Sequence, residues 1–143
     1  MQGIERGALE VEMKVQVPYD TFFTEWKCWK EFEPSFNGRN GVYAFRLKKA
    51  FPRLKGKSQV VYIGKSDQNS KRDNSGLWYR LNNYRQDLDG GSERLKRLIR
   101  HKRGEDKVEY SYVVCDNPRG TEKALLEDYF NRHLELPPLN RAG

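Results

Sequence analysis

Gly41-Val42-Tyr43-Ala44-Phe45-Arg46-Leu47-Lys48 and Gln59-Val60-Val61-Tyr62-Ile63-Gly64-Lys65 are two apolar runs joined by a basic stretch containing Pro52 and Gly56. β-Branched and aromatic residues bounded by turn formers read as strands, here over about 41–48 and 59–65, with a hairpin connection over 49–58. In antiparallel pairing the numbers of opposed residues keep a constant sum. A turn centred on residue 52 or 53 of this sequence sets Tyr43 opposite Tyr62. Cross-strand partners share a face and have close Cβ atoms, so two neighbouring phenols are expected at the open end of the hairpin, within reach of solvent. The plain alternative is an aromatic pair that only packs. Gly41 and Gly64 flank the tyrosines, and glycine in a strand permits close approach of a backbone or ligand.

Downstream, residues 66–76 are polar and read as an exposed loop. A helix over about 77–88 carries Leu77, Leu81, Tyr84 and Leu88 on one side, and Gly90-Gly91 ends it. Ser92 can cap a second helix to about 103, with Leu95, Leu98 and Ile99 inward. Residues 107–115 alternate as a strand, with Val108, Tyr110, Tyr112 and Val114 on one face. A last helix over about 119–134 has Leu126, Phe130 and His133 central to its apolar arc, and Pro137-Pro138 closes it. Upstream, Val11, Met13, Val15 and Val17 alternate as a half-buried strand over 10–17. Pro18 stops that strand, and Asp20 can cap a helix over about 21–33 with Phe22, Trp26 and Trp29 as a core stripe. The order gives an α/β (α+β) domain around a small, mostly antiparallel three-stranded sheet flanked by helices. Residues 1–38 form a strand-helix extension packed on a core domain of residues 39–143.

A chain of 143 residues is long enough to bury one core. Its formal net charge is +7, and that charge is uneven: residues 1–33 hold seven acids and four bases, leaving net +10 on the rest. The excess favours a polyanionic partner in the second part, with segments 46–57 and 94–103 supplying six Lys or Arg each. Lys48, Lys49, Arg53, Lys55, Lys57, Arg97, Arg100 and Arg103 are the candidate backbone contacts. A solvated charged face is the plain reading of each run. Cys28 and Cys115 fit no disulfide scaffold or metal pattern and are expected to be reduced. His101 is expected on a basic face and His133 in helix packing, so a zinc site is not expected. No apolar run approaches a membrane span, which leads us to expect a soluble, cytoplasmic protein.

A tyrosine's usual pKa near 10 makes it a poor base unless cations favour the phenolate. Lys65 and Arg80 are the candidates for that field. Arg80 and Tyr84 sit one turn apart on the first core helix, and an arginine fork suits phosphate. Glu127 lies at the margin of the last helix's expected apolar arc, where a carboxylate can reach a sheet and stay partly wet. One carboxylate with waters and phosphate oxygens suits Mg²⁺. Glu122, Asp128 and Glu135 serve as comparisons for it. Asn140 can bond the site or cap a turn, and its place after Pro137-Pro138-Leu139 favours the turn.

Gly41-Val42-Tyr43, Val61-Tyr62-Ile63-Gly64, Arg80, Glu127 and Asn140, in this order over residues 40–141, resemble the GIY-YIG nuclease family. The resemblance implies a three-stranded sheet with an active site on it, and a metal-dependent endonuclease acting on double-stranded DNA. Tyr43 then looks like the tyrosine that activates water, with Tyr62 as its partner, Lys65 as the following lysine and Arg80 as the phosphate clamp. Tyr84 stands where many members have histidine and some tyrosine. Glu127 looks like the ligand of Mg²⁺ or Mn²⁺, and Asn140 like the supporting asparagine. Val42 departs from the family's isoleucine, the hairpin connection is longer than in the smallest members, and residues 1–38 lie outside the match. A restriction-type enzyme and a non-cutting nucleic-acid-binding module on the same fold remain alternatives, and the sequence leaves a homodimer open.

Overall fold

A computed structural model describes residues 17–33, 39–67, 76–86, 92–101 and 104–140. Nearly all of the expected strand over 10–17, most of the 66–76 loop, Leu88 and Arg103 lie outside them. The chain is α+β. In order it forms α1 (Tyr19–Phe22), β1 (Lys27–Cys28), a 3₁₀ turn (Trp29–Glu31), β2 (Gly41–Pro52), β3 (Lys57–Ser66), α2 (Gly76–Gln86), α3 (Glu93–Arg100), α4 (Gly104–Lys107), β4 (Val108–Val114) and α5 (Pro118–His133). The sheet has four strands, not three, in the order β1-β4-β2-β3 and antiparallel throughout. The added strand is the two-residue β1 on the edge of β4.

The helix expected over 21–33 does not form as one piece. Only Tyr19–Phe22 is α-helical, with the 3₁₀ turn at Trp29–Glu31; Pro18 takes the cap position, and Asp20 pairs with Arg132 at 2.9 Å instead of capping. The aromatics explain the break. Phe23 and Trp26 pack on one face of the sheet, while Trp29 and Phe32 pack on the other. A continuous helix would have held Phe22, Trp26 and Trp29 in one stripe, so the chain extends and crosses the sheet edge.

The hairpin is longer than expected, with a tip of residues 53–56. Gly56 adopts φ +71°, a left-handed conformation that costs other residues a clash. Irregularities beside Arg46 shift the register, so Tyr43 pairs with Gly64 and Tyr62 with Phe45. The expected Tyr43–Tyr62 opposition is therefore a diagonal. A two-residue offset keeps the same face, and the ring centroids are 6.1 Å apart.

Alternation along β2 and β3 feeds two cores. Tyr43, Phe45 and Tyr62 face α2 and α3 with Leu77, Leu81, Tyr84, Leu95 and Ile99. Val42, Ala44 and Ile63 face α5 with Leu125 and Tyr129. Ser92 caps α3, its hydroxyl accepting from the Leu95 N–H at 3.2 Å. α5 is turned relative to the expected arc: Ala124, Leu125, Tyr129 and His133 are buried, whereas Phe130 is 48% exposed. His133 ties the end of α5 to the hairpin tip. Its Nδ1 lies 2.8 Å from the Lys55 carbonyl, which can only accept, so Nε2 accepts from the Tyr19 hydroxyl at 2.5 Å. Both cysteines are free and half-buried, His101 is exposed, and no described helix is long and apolar enough to cross a membrane.

Candidate active site

Three tyrosines meet on the face covered by α2 and α3. Tyr43 and Tyr84 have ring centroids 6.1 Å apart, and Tyr62 and Tyr84 6.4 Å. The Tyr43 and Tyr84 hydroxyl oxygens are 3.0 Å apart, and the Ser92 N–H donates to the Tyr84 oxygen at 3.1 Å. Gly64 makes room for this cluster. A Cβ at that position would stand 2.5 Å from Cζ of Tyr43, so the tyrosine ring occupies the space a side chain would need.

The phenols differ in access. Tyr43 is 1% exposed, against the expectation that both tyrosines open to solvent, whereas Tyr62 is half-buried. Burial pushes the Tyr43 pKa well above its usual value, the neighbouring Tyr84 and Tyr62 push the same way, and Arg80 opposes them only weakly. Tyr62 is also pushed up, first by burial, then by Tyr84, with Glu122 adding to the rise. The expected cationic field is thus outweighed at Tyr43. Lys65 does not supply it: paired with Val42 in register, it belongs to the α5 face and lies 3.8 Å from Asp67. Arg80 is half-buried on α2, one turn before Tyr84, and pairs with no described carboxylate.

The carboxylate whose charge reaches Tyr62 is Glu122, on α5. With the buried side of α5 centred on Leu125 and Tyr129, Glu122 falls on that side and Glu127 is turned outward and exposed. The sequence reading placed the arc one residue too far along, around Leu126 and Phe130, because Leu125 with Tyr129 and Leu126 with Phe130 offer two apolar arcs a residue apart. Burial pushes the Glu122 pKa up; Lys65 opposes this, Asp67 adds to it, and Arg119 opposes it. Arg119 in turn lies 3.5 Å from Asp67. Lys65, Asp67, Arg119 and Glu122 therefore form one charged group where α5 meets the end of β3. The position of Glu122 one turn before Leu125 could have revealed it; nothing in the sequence singled out Asp67 or Arg119.

Asn140 closes a turn and also bonds the backbone of the strand that carries Tyr62. Its backbone N–H closes a turn onto the Pro137 carbonyl at 3.0 Å. Its side chain grips Ile63, donating from Nδ2 to the carbonyl at 2.9 Å and accepting the N–H on Oδ1 at 3.0 Å. The Leu139 N–H donates to the Val61 carbonyl at 2.9 Å. β3 is an edge strand, so these bonds satisfy the outward backbone groups on both sides of Tyr62.

The basic candidates separate. Lys48, Lys49, Lys55 and Lys57 on the hairpin and Arg97 and Arg100 on α3 are exposed. Arg53 is not available to a partner: its side chain is 12% exposed, pairs with Glu135 at 2.8 Å and donates to the Leu136 carbonyl at 2.7 Å. Ten residues separate Tyr43 from the hairpin tip at Arg53, about 30 Å of strand, so the hairpin cations lie far from the tyrosines. No family model, curated protein or solved structure matches the chain.

Proposed function

We propose that this chain is a divalent-metal-dependent endonuclease that hydrolyses phosphodiester bonds in DNA. The observation that carries the reading is the half-buried Tyr62 phenol on edge strand β3, beside the buried Tyr43 and Tyr84, with the partly buried carboxylate of Glu122 on α5, across the sheet, close enough for its charge to add to the rise of the Tyr62 pKa. Among the described residues no group of three or more His, Cys, Asp or Glu gathers, so a cage made of protein ligands alone is absent there. One partly buried carboxylate with Asp67 nearby fits Mg²⁺ or Mn²⁺, which keep waters and take substrate oxygens as further ligands. Burial and the negative neighbour raise the Glu122 pKa, and a cation would relieve both costs. When bound, the ion would supply positive charge at the phosphate oxygens.

The chain's own residues divide the remaining work. Arg80 offers a planar fork to the phosphate from α2. Tyr62 orients the attacking water by hydrogen bonding, as a neutral phenol. Tyr43, sealed behind it, holds Tyr84 and sets the position of Tyr62, and so serves as a positioning residue. Lys65 and Arg119 flank the carboxylate and favour a phosphate approaching that rim. Lys48, Lys49, Lys57, Arg97 and Arg100 would contact the DNA backbone away from the reacting phosphate.

The sealed Tyr43 also favours a second reading, a nucleic-acid-binding module that does not cut, because a closed phenol cannot touch substrate. One assay separates the two. Supercoiled plasmid is incubated with the protein and Mg²⁺ or Mn²⁺, with chelator as control, and cut ends are sequenced. Cleavage that needs metal and is lost in Glu122→Gln supports the nuclease. DNA binding with no cleavage under either metal supports the module. A recurrent sequence at the ends identifies a restriction-type enzyme.

A further inference from the structure

Leu54 stands at the tip of the β2–β3 hairpin and is the most exposed large apolar side chain among the described residues, at 76%. An exposed leucine on a loose turn means little. This turn is fastened. The Arg53 N–H donates to the Gly56 carbonyl, the Leu54 N–H to Glu135 and the Lys55 N–H to the His133 carbonyl. His133 Nδ1 donates back to the Lys55 carbonyl, and the Arg53 side chain holds both Glu135 and the Leu136 carbonyl. The tip is therefore tied to the end of α5, and its leucine is left in solvent. Leu134 lies at the same place, between the two residues that hold the tip. It is 52% exposed and has φ 61°, the left-handed conformation that helix ends usually give to glycine. Charge frames both leucines. Residues 48–57 include five Lys or Arg and no acid. Lys48, Lys49, Lys55 and Lys57 are exposed, and the Glu135 carboxylate is neutralised by Arg53. β4 pairs with β2 only as far as Leu47, so beyond it the hairpin is a ribbon two strands wide. A ribbon of that width fits a DNA groove.

We infer that the tip is an apolar wedge: Leu54 enters the minor groove of double-stranded DNA and parts one base step, while the lysines hold the phosphates on either side. The inference rests on the DNA-cleaving reading above and adds how the duplex is held. An inserted apolar side chain unstacks a step and kinks the duplex, and a tip that is already rigid gives up little freedom on entering. The ribbon offers little to read base edges. Arg53 is held by Glu135, and Gln59 donates to the Leu47 and Lys48 carbonyls. Choice of site therefore falls to ease of kinking, greatest at pyrimidine–purine steps and at mismatches. The tip is about 30 Å from Tyr43, so a duplex lying along the hairpin has its kink about nine base pairs from the reacting phosphate. An anionic bilayer would also attract the lysines, but two leucines on a narrow ribbon present no broad apolar face to sink into it.

Fluorescence energy transfer between the ends of duplexes of about 30 base pairs tests it, with the full chain and with chelator present so that no cutting intervenes. The parent protein should bend a duplex with a central mismatch and bind it about tenfold more tightly than a stiff A-tract duplex. Leu54→Ala, with an unchanged circular dichroism spectrum, should lose the bend, cut that preference to about twofold and keep the salt slope of binding. Leu54→Phe, which still carries a wedge, should keep the bend and the preference. Replacing Lys48, Lys49 and Lys57 by Gln should flatten the salt slope and leave the preference in place. A bend and a preference that survive Leu54→Ala overturn the proposal. A parent that binds without bending also overturns it, and leaves the nuclease reading standing if plasmid is still cut. No binding to any duplex at low salt overturns the DNA reading and the wedge together. Binding to phosphatidylserine vesicles that Leu54→Ala abolishes, with no bend in DNA, overturns the wedge and assigns the tip to a membrane surface.

Discussion

Gly64→Ala adds one methyl group at the point where the tyrosine cluster leaves no space for it. The added Cβ would stand 2.5 Å from Cζ of Tyr43, 2.6 Å from its hydroxyl oxygen and 2.8 Å from Cε2 of Tyr62. Carbon atoms in contact sit about 3.5–4.0 Å apart, so the Tyr43 ring must move by roughly 1 Å. It has nowhere to go: it is 1% exposed, with Phe45, Tyr62 and Tyr84 rings around it at centroid distances of 6.1 Å each. Alanine in a strand normally gains about 0.5–1 kcal/mol over glycine through the entropy of the unfolded chain. Overpacking costs about 1–3 kcal/mol. Displacing the ring also loses the bond to Tyr84, worth about 1 kcal/mol net. The balance is a destabilisation of about 1–3 kcal/mol, opposite in sign to the strand preference. For a chain of this length that lowers Tm by about 3 °C or more. Urea unfolding should show a lower midpoint at an unchanged slope. In a Tyr43→Leu background the two closest clashes are gone and only that with Cε2 of Tyr62 remains, so the same substitution should cost at least about 1 kcal/mol less. A Gly64→Ala protein as stable as its parent would show that the Tyr43 ring does not lie over this strand, and the positioning role given to Tyr43 would fall with it.

Three further outcomes are expected. Glu122 has a folded pKa above its unfolded one, so stability from this group falls as pH rises through that window; Glu122→Gln should raise Tm at pH 7, leave it unchanged near pH 3 where both forms are neutral, and abolish cleavage, whereas Glu127→Gln should cleave normally. In the parent protein, the Mg²⁺ concentration needed for half-maximal cleavage should fall as pH rises and the Glu122 carboxyl loses its proton, and a metal requirement independent of pH would remove Glu122 from the site. Arg53→Ala should lower stability by about 1–3 kcal/mol while leaving the salt dependence of DNA binding unchanged, and neutralising Lys48, Lys49 and Lys57 together should do the reverse, flattening the slope by about one unit per lost phosphate contact.

The strands could be read from the sequence because each buried face had one clear period. Val42, Ala44 and Ile63 alternate with Tyr43, Phe45 and Tyr62, and the structure uses both sets, one per core. The register could not be read, because the irregularities beside Arg46 depend on how the exposed Lys48–Ala50 stretch is accommodated, and no residue there announces a bulge. The N-terminal aromatics were misread for a related reason. Spacing of i, i+4, i+7 fits one helix, yet Trp29 finds Phe45 and Tyr110 on one side of the sheet while Trp26 finds Phe23 and Arg46 on the other. Tertiary contacts from strands far along the chain decide that, not local propensity. On α5 the error was one of phase. Leu125 and Leu126, and Tyr129 and Phe130, offer two apolar arcs a residue apart, and only the sheet selects between them. That choice carries the carboxylate with it, since whichever arc is buried determines which glutamate reaches the β3 rim.

The location of Tyr62 on an edge strand gives the C-terminal residues their meaning. An edge strand lacks a neighbour on one side, so its backbone is free to shift, and a phenol carried on it would shift too. Here the missing neighbour is replaced by the Leu139 N–H on Val61 and by both groups of the Asn140 amide on Ile63, the residues on either side of Tyr62. Pro137 and Pro138 fix the approach of that segment by holding φ, so Asn140 arrives with little entropy left to lose. The edge therefore stays open enough for Tyr62 to be half-exposed and for Glu122 and Lys65 to gather at its rim, yet its backbone is hydrogen-bonded on both sides of Tyr62. The nuclease site proposed here would have to admit a bulky polyanion and still place a phenol accurately; it needs both properties, and a central strand could supply only the second.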